Sequence, residues 1–243
     1  MERMFKAVLA ILTTTITASA GAATVLFDFG STDHQTAQVG WNNVTYIDDT
    51  PAAGLTTIVD SSGAAVDGVS LVFTDQFFVG TQPDLLGTDS PTGDASGLPT
   101  TATEDFFLGH TGEFLGESSN PTGAFKLTGL DSNQTYTFTF FASRVGVGDN
   151  RETSYTVTGL TQASGLLQAS NNNSEVLVLG GITPDLNDEI TVSLAAGPNN
   201  TNSRSFYYIN ALQLDIVPEP SALALFAIGS LIAASSRRRK LVG

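Results

Sequence analysis

Tyr136-Thr137-Phe138-Thr139-Phe140 alternates apolar and polar residues without a break, and Ile190-Thr191-Val192-Ser193-Leu194 repeats the pattern. Successive side chains of a strand point to opposite faces, so each stretch buries one face and shows the other to water. Working outward from these two, further short strands are expected at Val25–Phe29, Leu55–Val59, Val69–Phe73, Phe106–Leu108, Ala124–Leu127, Ser154–Thr158, Glu175–Leu179 and Phe206–Ile216, with the first two extended to Tyr136–Phe141 and Ile190–Leu194. Turns rich in Gly, Asn, Asp and Pro separate them. Between the two ends of the chain no stretch keeps a 3.6-residue period beyond about two turns. Short connections without crossover helices mean antiparallel pairing. The expected class is all-β: an antiparallel two-sheet sandwich of jelly-roll type. Residues 80–103, rich in Pro, Gly, Thr, Ser and Asp, are expected to form a long surface loop.

The two ends differ from this middle. Arg3 and Lys6, a short apolar run Ala7–Ile16 and the small residues Ala18-Ser19-Ala20 read as a secretory signal peptide over residues 1–20. At the other end come Pro218-Glu219-Pro220, an apolar run Ala222–Ala234 and the cluster Arg237-Arg238-Arg239-Lys240. A helix over about 218–236 spans roughly 30 Å, about one hydrocarbon core. The cations should stay cytoplasmic, which leaves residues 21–217 outside. A plain anchor is the bland reading of this tail, and four consecutive cations argue against a buried core helix.

Removing both ends sharpens the charge. Six of the 10 Lys and Arg lie in them, against two of the 24 Asp and Glu, so residues 21–217 hold 22 acids and four bases, a net −18. Such a surface argues against nucleic-acid binding and equally against docking on anionic lipid. The chain has no cysteine, so neither disulfides nor thiolate zinc sites nor thiol nucleophiles enter. The 197 residues between the ends suffice for one core.

Pro218, Glu219 and Pro220, the apolar segment and Arg237, Arg238, Arg239 and Lys240 together resemble the PEP-CTERM sorting signal of Gram-negative bacteria. That resemblance implies recognition by an exosortase, a membrane-embedded cysteine transpeptidase, with cleavage near the Pro-Glu-Pro. It implies export through the secretion machinery across the inner membrane, temporary anchoring by the tail, and release to the envelope or matrix, in a setting of exopolysaccharide and biofilm. Gly129–Arg144, with its GL…Y…FASR spacing, the segment Phe206–Leu214 and the opening Val25–Gly30 are similar to strands of galactose-binding-like domains, which implies a sandwich but no particular ligand residues.

Candidate chemistry is sparse. Phe29–His34 is similar to the Gly-Asp-Ser block of SGNH esterases only in part, for it lacks the Asp before Ser31 and no Asp-x-x-His block follows. With two histidines, His34 and His110, and no Gly-x-Ser-x-Gly, no nucleophile, base and orienting group assemble. The adjacent acids Glu104-Asp105 and Asp188-Glu189 point to opposite faces of a strand and read as turn or edge residues. Asp185–Glu189 has neither the length nor the glycine of an EF-hand and reads as a hairpin turn. No cofactor is implied, and a structural Ca²⁺ built from backbone carbonyls and scattered Asp leaves no mark in a sequence. For sugar binding, the lone Trp41 with Asn42, in a turn-like Gly-Trp-Asn-Asn context, offers a stacking face beside an amide. Plugging the end of the sandwich is the alternative role of Trp41. Arg144, Arg151 and Glu152 flank one loop and are either ligand-binding or a clamp on that hairpin. The expectation is an exported, non-enzymatic sandwich protein that binds polysaccharide. A structural matrix protein without a ligand and a secreted hydrolase stand beside it.

Overall fold

In a computed structural model, residues 22–47, 50–78, 85–116 and 119–218 are described. The expected signal peptide, residues 219–243 of the tail and the first part of the 80–103 loop lie outside them. Twelve strands form: β1 (Ala23–Ser31), β2 (Trp41–Tyr46), β3 (Ser70–Asp75), β4 (Phe107–Gly109), β5 (Thr122–Thr128), β6 (Gln134–Phe141), β7 (Glu152–Thr158), β8 (Gln162–Gln168), β9 (Leu177–Ile182), β10 (Ile190–Ala196), β11 (Tyr207–Ile209) and β12 (Ala211–Pro218). One five-stranded sheet runs β2-β1-β12-β6-β9, a second runs β3-β5-β10-β7-β8, and β11 pairs with β4. Among the described residues the only helices are single 3-10 turns, none long and apolar enough to cross a membrane.

The alternation in β6 and β10 does what it predicts. Tyr136, Phe138 and Phe140 are buried, as are Ile190, Val192 and Leu194, and these residues of the two sheets face one another across the core. Phe140 and Tyr155 bring the sheets to a ring separation of 4.6 Å. Towards the β3 edge, Phe29, Phe107 and Phe125 pack with centroids 5.3–5.6 Å apart. Each such ring removes a large apolar area from water, and together they are what holds a cysteine-free sandwich.

Several expectations need correction. Leu55–Val59 is no strand: only isolated bridges to Leu71 and from Val59 to Ala65 form. Trp41-Asn42-Asn43 is a strand rather than a turn; Gly40, at φ +88°, makes the turn and Trp41 opens β2. β2 runs parallel to β1, whereas the other strand pairs among the described residues are antiparallel. The parallel pair is built by residues 32–40, which carry the chain back along the sheet. β8 was not anticipated. The expected strand Phe206–Ile216 is broken at Asn210, and the two pieces enter different sheets.

The described part of the long loop, Leu85–Asp105, is not a free surface loop. Its base is closed by the Gly87 N–H on the Glu104 carbonyl at 2.8 Å. Its middle, with short helical turns at Gly93–Ala95 and Thr100–Ala102, lies as a strap across the outer face of the first sheet. There Ala95 and Ala102 pack on Phe141 and Ala211. Asn210 ties the strap down. Its side-chain amide donates to the Thr103 and Asp105 carbonyls at 2.9 and 2.7 Å, and its Oδ1 accepts from the Ser143 N–H at 2.8 Å. Its backbone joins Phe29 and Phe141. Asn210 is wholly buried, so removing the amide strands three backbone groups away from water. Asn210→Ala is expected to lower unfolding free energy by about 2–4 kcal/mol, read by urea denaturation. A loss within experimental error would mean the strap is held by other contacts.

Candidate functional site

Register places five side chains in one row on the outer face of the first sheet. Trp41 stands beside Leu26, Leu26 beside Gln213, Gln213 beside Thr139, and Thr139 beside Val178. Paired residues of neighbouring strands point to the same side. With strands ~4.8 Å apart the row is about 19 Å long. None of the five is buried, and Val178 is 57% exposed. On one side stands the strap, where Trp41, Leu98 and Val176 pack against the cluster of Ala95, Ala102, Phe141 and Ala211. A small recess lined by Asp94, Leu98, Thr139, Phe141, Val176, Ala211 and Gln213 runs under its edge. On the other side the sheet is open, and Thr24, Asp215 and Thr137 form the next row. Asp215 accepts from Thr24 Oγ1 at 2.6 Å and Gln213 Nε2 at 2.9 Å, which fixes the orientation of the amide. The result is a shelf with an indole at one end, hydrogen-bonding groups along it and a wall behind it. The outer face of the second sheet carries Val72, Lys126, Thr191, Ser193 and Thr156 and no aromatic ring.

The wall rests on two buried carboxylates. Asp28 sits one row above Leu26 on the same face, and its Oδ2 accepts from the Thr36 N–H at 2.9 Å. Asp105, at the end of the strap, lies over Gly30 and accepts from the Ser31 N–H at 2.7 Å. A Cβ at Gly30 would come within 2.2 Å of the Asp105 carboxylate, so only glycine lets the strap end dock there. The adjacent pair Glu104-Asp105 is thus not a plain turn or edge feature. Asp28 and Asp105 are 2% and 3% exposed, and Oδ1 of each has no hydrogen-bond partner among the described residues. Burial pushes the Asp28 carboxyl up to about 7, and the Glu104 charge adds to it. Burial, then the charges of Asp28 and Glu104, push Asp105 up to about 8. Both acids therefore hold their protons more tightly folded than unfolded. The stability they contribute is complete at acid pH, below the ordinary carboxylate range, and is lost as pH rises through about 7 and 8.

The other residues singled out in the sequence go elsewhere. Asn42, next to Trp41, points inward: its amide donates to the Leu26 and Val59 carbonyls and accepts from the Val59 N–H. It takes the place of a strand partner for residues 58–60 and is closed to a ligand. Arg144, Arg151 and Glu152 lie at the end of the sandwich opposite the Pro218 end of β12, because β6 runs antiparallel to β12. Arg151 donates to Asp149 Oδ1 at 2.9 Å and to the Tyr208 hydroxyl at 2.6 Å, and its guanidinium stacks over Phe206. Asp149 is held below the usual carboxylate range by Asn202 and Arg151, against the opposing effect of its burial. Glu152 accepts from Asn199, and Arg144 Nη1 donates to the Val145 carbonyl at 2.5 Å. These contacts join the β6–β7 loop to the β10–β11 loop. His34 pairs with Glu104 at 3.7 Å, and His110 is buried among Phe78, Phe114 and Phe206 with Nδ1 on the Gly112 carbonyl. Asp185 Oδ1 accepts from the Asn187 and Glu189 N–H groups, so the expected turn forms, but it carries the chain from β9 in the first sheet to β10 in the second and is not a hairpin. Among the described residues no three His, Asp or Glu side chains gather as a metal site. Leu26, Thr139, Val178, Gln213 and Asp215 were missed, although the outward threonines of β6 and the Gln-x-Asp alternation of β12 were there to be read.

With this geometry in place, comparison with known proteins identifies the C-terminal segment. Residues 217–240 match the PEP-CTERM protein-sorting motif, and the chain carries that signal. The motif implies export, with a membrane-anchored C-terminal region before exosortase-mediated processing. A sequence search of characterised proteins found no match. Among solved structures the chain is similar to the extracellular domain of ANXUR1 from Arabidopsis thaliana, at 10% identity and a TM-score of 0.35, over 61% of this chain and 41% of that one. The chain therefore spans less than half of that domain's length. It is also similar to an F5/8 type C domain from Bacteroides fragilis, at 11% identity, TM-score 0.30, and 61% and 91% coverage. A third is TmCBM61, solved in complex with β-1,4-galactotriose, at 8% identity, TM-score 0.24, and 47% and 68% coverage.

The buried acids give the first test of the shelf's construction. Thermal unfolding followed from pH 5.5 to pH 9 is expected to show Tm falling as pH rises through 7–8, from these two groups. Asp28→Asn keeps the acceptor for Thr36 without a charge to desolvate. It should flatten this slope and raise Tm at pH 9. An unchanged slope in the variant would place the pH dependence elsewhere.

Proposed function

We propose that this chain is an exported, non-enzymatic sandwich protein that binds an extended, neutral polysaccharide along the outer face of its first sheet. The observation that carries the reading is the row from Trp41 to Val178. It sets a half-buried indole and fixed hydrogen-bonding groups in one line across five strands. An aromatic face attracts the apolar face of a sugar ring, and Gln213, Thr139, Thr137 and Asp215 suit hydroxyls. The remaining described aromatic rings are buried, apart from Phe73 and Phe114, which are half-buried and lie away from this face. A shelf open at both ends suits a chain in mid-polymer better than a small molecule. The net charge of −18 on residues 21–217 disfavours an anionic polymer and leaves neutral chains as the better partner.

The non-enzymatic part of the reading is supported by the contacts of both histidines, His34 with Glu104 and His110 with the Gly112 carbonyl and three phenylalanine rings. The sorting signal supports a cell-surface or matrix destination, where polysaccharide is the abundant partner.

Affinity electrophoresis of the purified protein through gels containing neutral polysaccharides is expected to show retardation by at least one of them. Trp41→Ala should weaken it about tenfold, equivalent to ~1.4 kcal/mol, in a variant whose unfolding midpoint stays above the assay temperature. Retardation by no polysaccharide, or retention of full affinity in Trp41→Ala, removes the shelf from consideration and leaves a matrix protein without a glycan ligand.

A further inference from the structure

The sorting motif begins inside the fold. The matched segment starts at residue 217, and β12 runs to Pro218. Val217 pairs with Thr135 and Pro218 with Gln134, so two residues belong both to a central strand of the first sheet and to the signal. Extended chain covers at most ~3.6 Å per residue, so the four residues from Pro218 to Ala222 give less than about 15 Å between the sheet and the apolar run. An enzyme reading the Pro-Glu-Pro has to work against the end of the sandwich itself.

That end of β12 is lightly held. Val217 is 44% exposed, and Pro218 has no N–H to give to a ladder. Next to it, among the described residues, lies a cleft of about 480 Å³ lined in part by Ala23, Asp60, Asp67, Gln134, Tyr136 and Ile216. Gln134, the partner of Pro218, has a buried Oε1 without a hydrogen-bond partner among the described residues. One residue further back the situation reverses. Ile216 is 8% exposed in the core, and its partners Ala23 and Tyr136 sit on either side. Opening the last two rungs exposes little, while opening a third pulls Ile216 out of the core.

We propose that the last two rungs of β12 act as a latch on the sorting signal: Val217 and Pro218 must peel from Thr135 and Gln134 before the processing enzyme engages the motif, and Ile216 limits the opening to those two residues. Folding of the sandwich thereby sets the rate at which the tail is read. This reading is independent of polysaccharide binding.

The absence of cysteine from the chain allows a clean test. In Thr135→Cys/Val217→Cys, the two new thiols face each other on the outer side of the sheet, and their disulfide locks the latch. The full-length protein is followed in membranes of a host carrying the processing enzyme, by the mass of the mature product. The oxidised double variant is expected to be processed at least ten times more slowly than the unaltered protein, and dithiothreitol should restore the rate. Both proteins are compared in the same reductant. A second variant places six Gly and Ser residues between Ile216 and Val217, which moves the intact motif off the sheet. It is expected to be processed faster than the unaltered protein. Normal processing with the disulfide shown to be formed, or an unchanged or lower rate with the spacer, overturns the latch.

Discussion

Asn210 is the point on which the architecture turns. Its backbone links the ends of β1 and β6, and its side chain holds both carbonyls that anchor the strap and the amide that starts the β6–β7 loop. One buried amide thus satisfies groups from four segments that no strand ladder reaches. A buried polar network of this kind is stable only when complete, because each unmade bond leaves a desolvated group. The break it imposes on the segment 206–216 has a purpose in this light. The chain changes sheet at Asn210, β11 closing on β4 and β12 entering the centre of the first sheet.

The same economy governs the outer face. The upper part of the first sheet is covered because Asp28, Asp105 and Asn210 accept or give bonds there, and the lower part is open because nothing comparable lies below Leu26. Burial raises both carboxyls, so each holds its backbone amide with less charge to desolvate than an ordinary aspartate carries, and less repulsion builds up in an already acidic domain.

What the sequence disclosed follows from period and spacing. The strict alternations of β6 and β10 identified one interior strand of each sheet, the apolar runs around Leu214 and Phe125 gave a neighbour of each, and the run around Phe27 gave the strand beyond β12. β2 was hidden because Asn42 points inward, breaking the pattern that burial normally writes. β8 was hidden by Gly165, which lacks a side chain because Leu177 approaches to within 2.6 Å of where a Cβ would stand. As for the site, Trp41 stood out as the single tryptophan, yet its companions come from four other strands, and only register brings them into line. The burial of Asp105 had no local sign at all. It depends on Gly30, 75 residues earlier in the chain. The tail, by contrast, could be read directly, since a sorting signal is recognised as linear sequence.

The strap has a consequence for how this fold can diversify. Its attachments sit at its two ends, through the Gly87–Glu104 closure, Asn210 and the seat above Gly30, and at one midpoint where Thr92 and Asp94 donate to Asn173 and Ser174. The midpoint bonds use backbone groups, so the demands on side chains there fall on Gly93, at φ +52°, and on Ala95 and Ala102, wholly buried against Phe141 and Ala211. Outside those positions the composition of the strap can drift, and with it the wall of the shelf, while the sandwich underneath keeps its core unchanged.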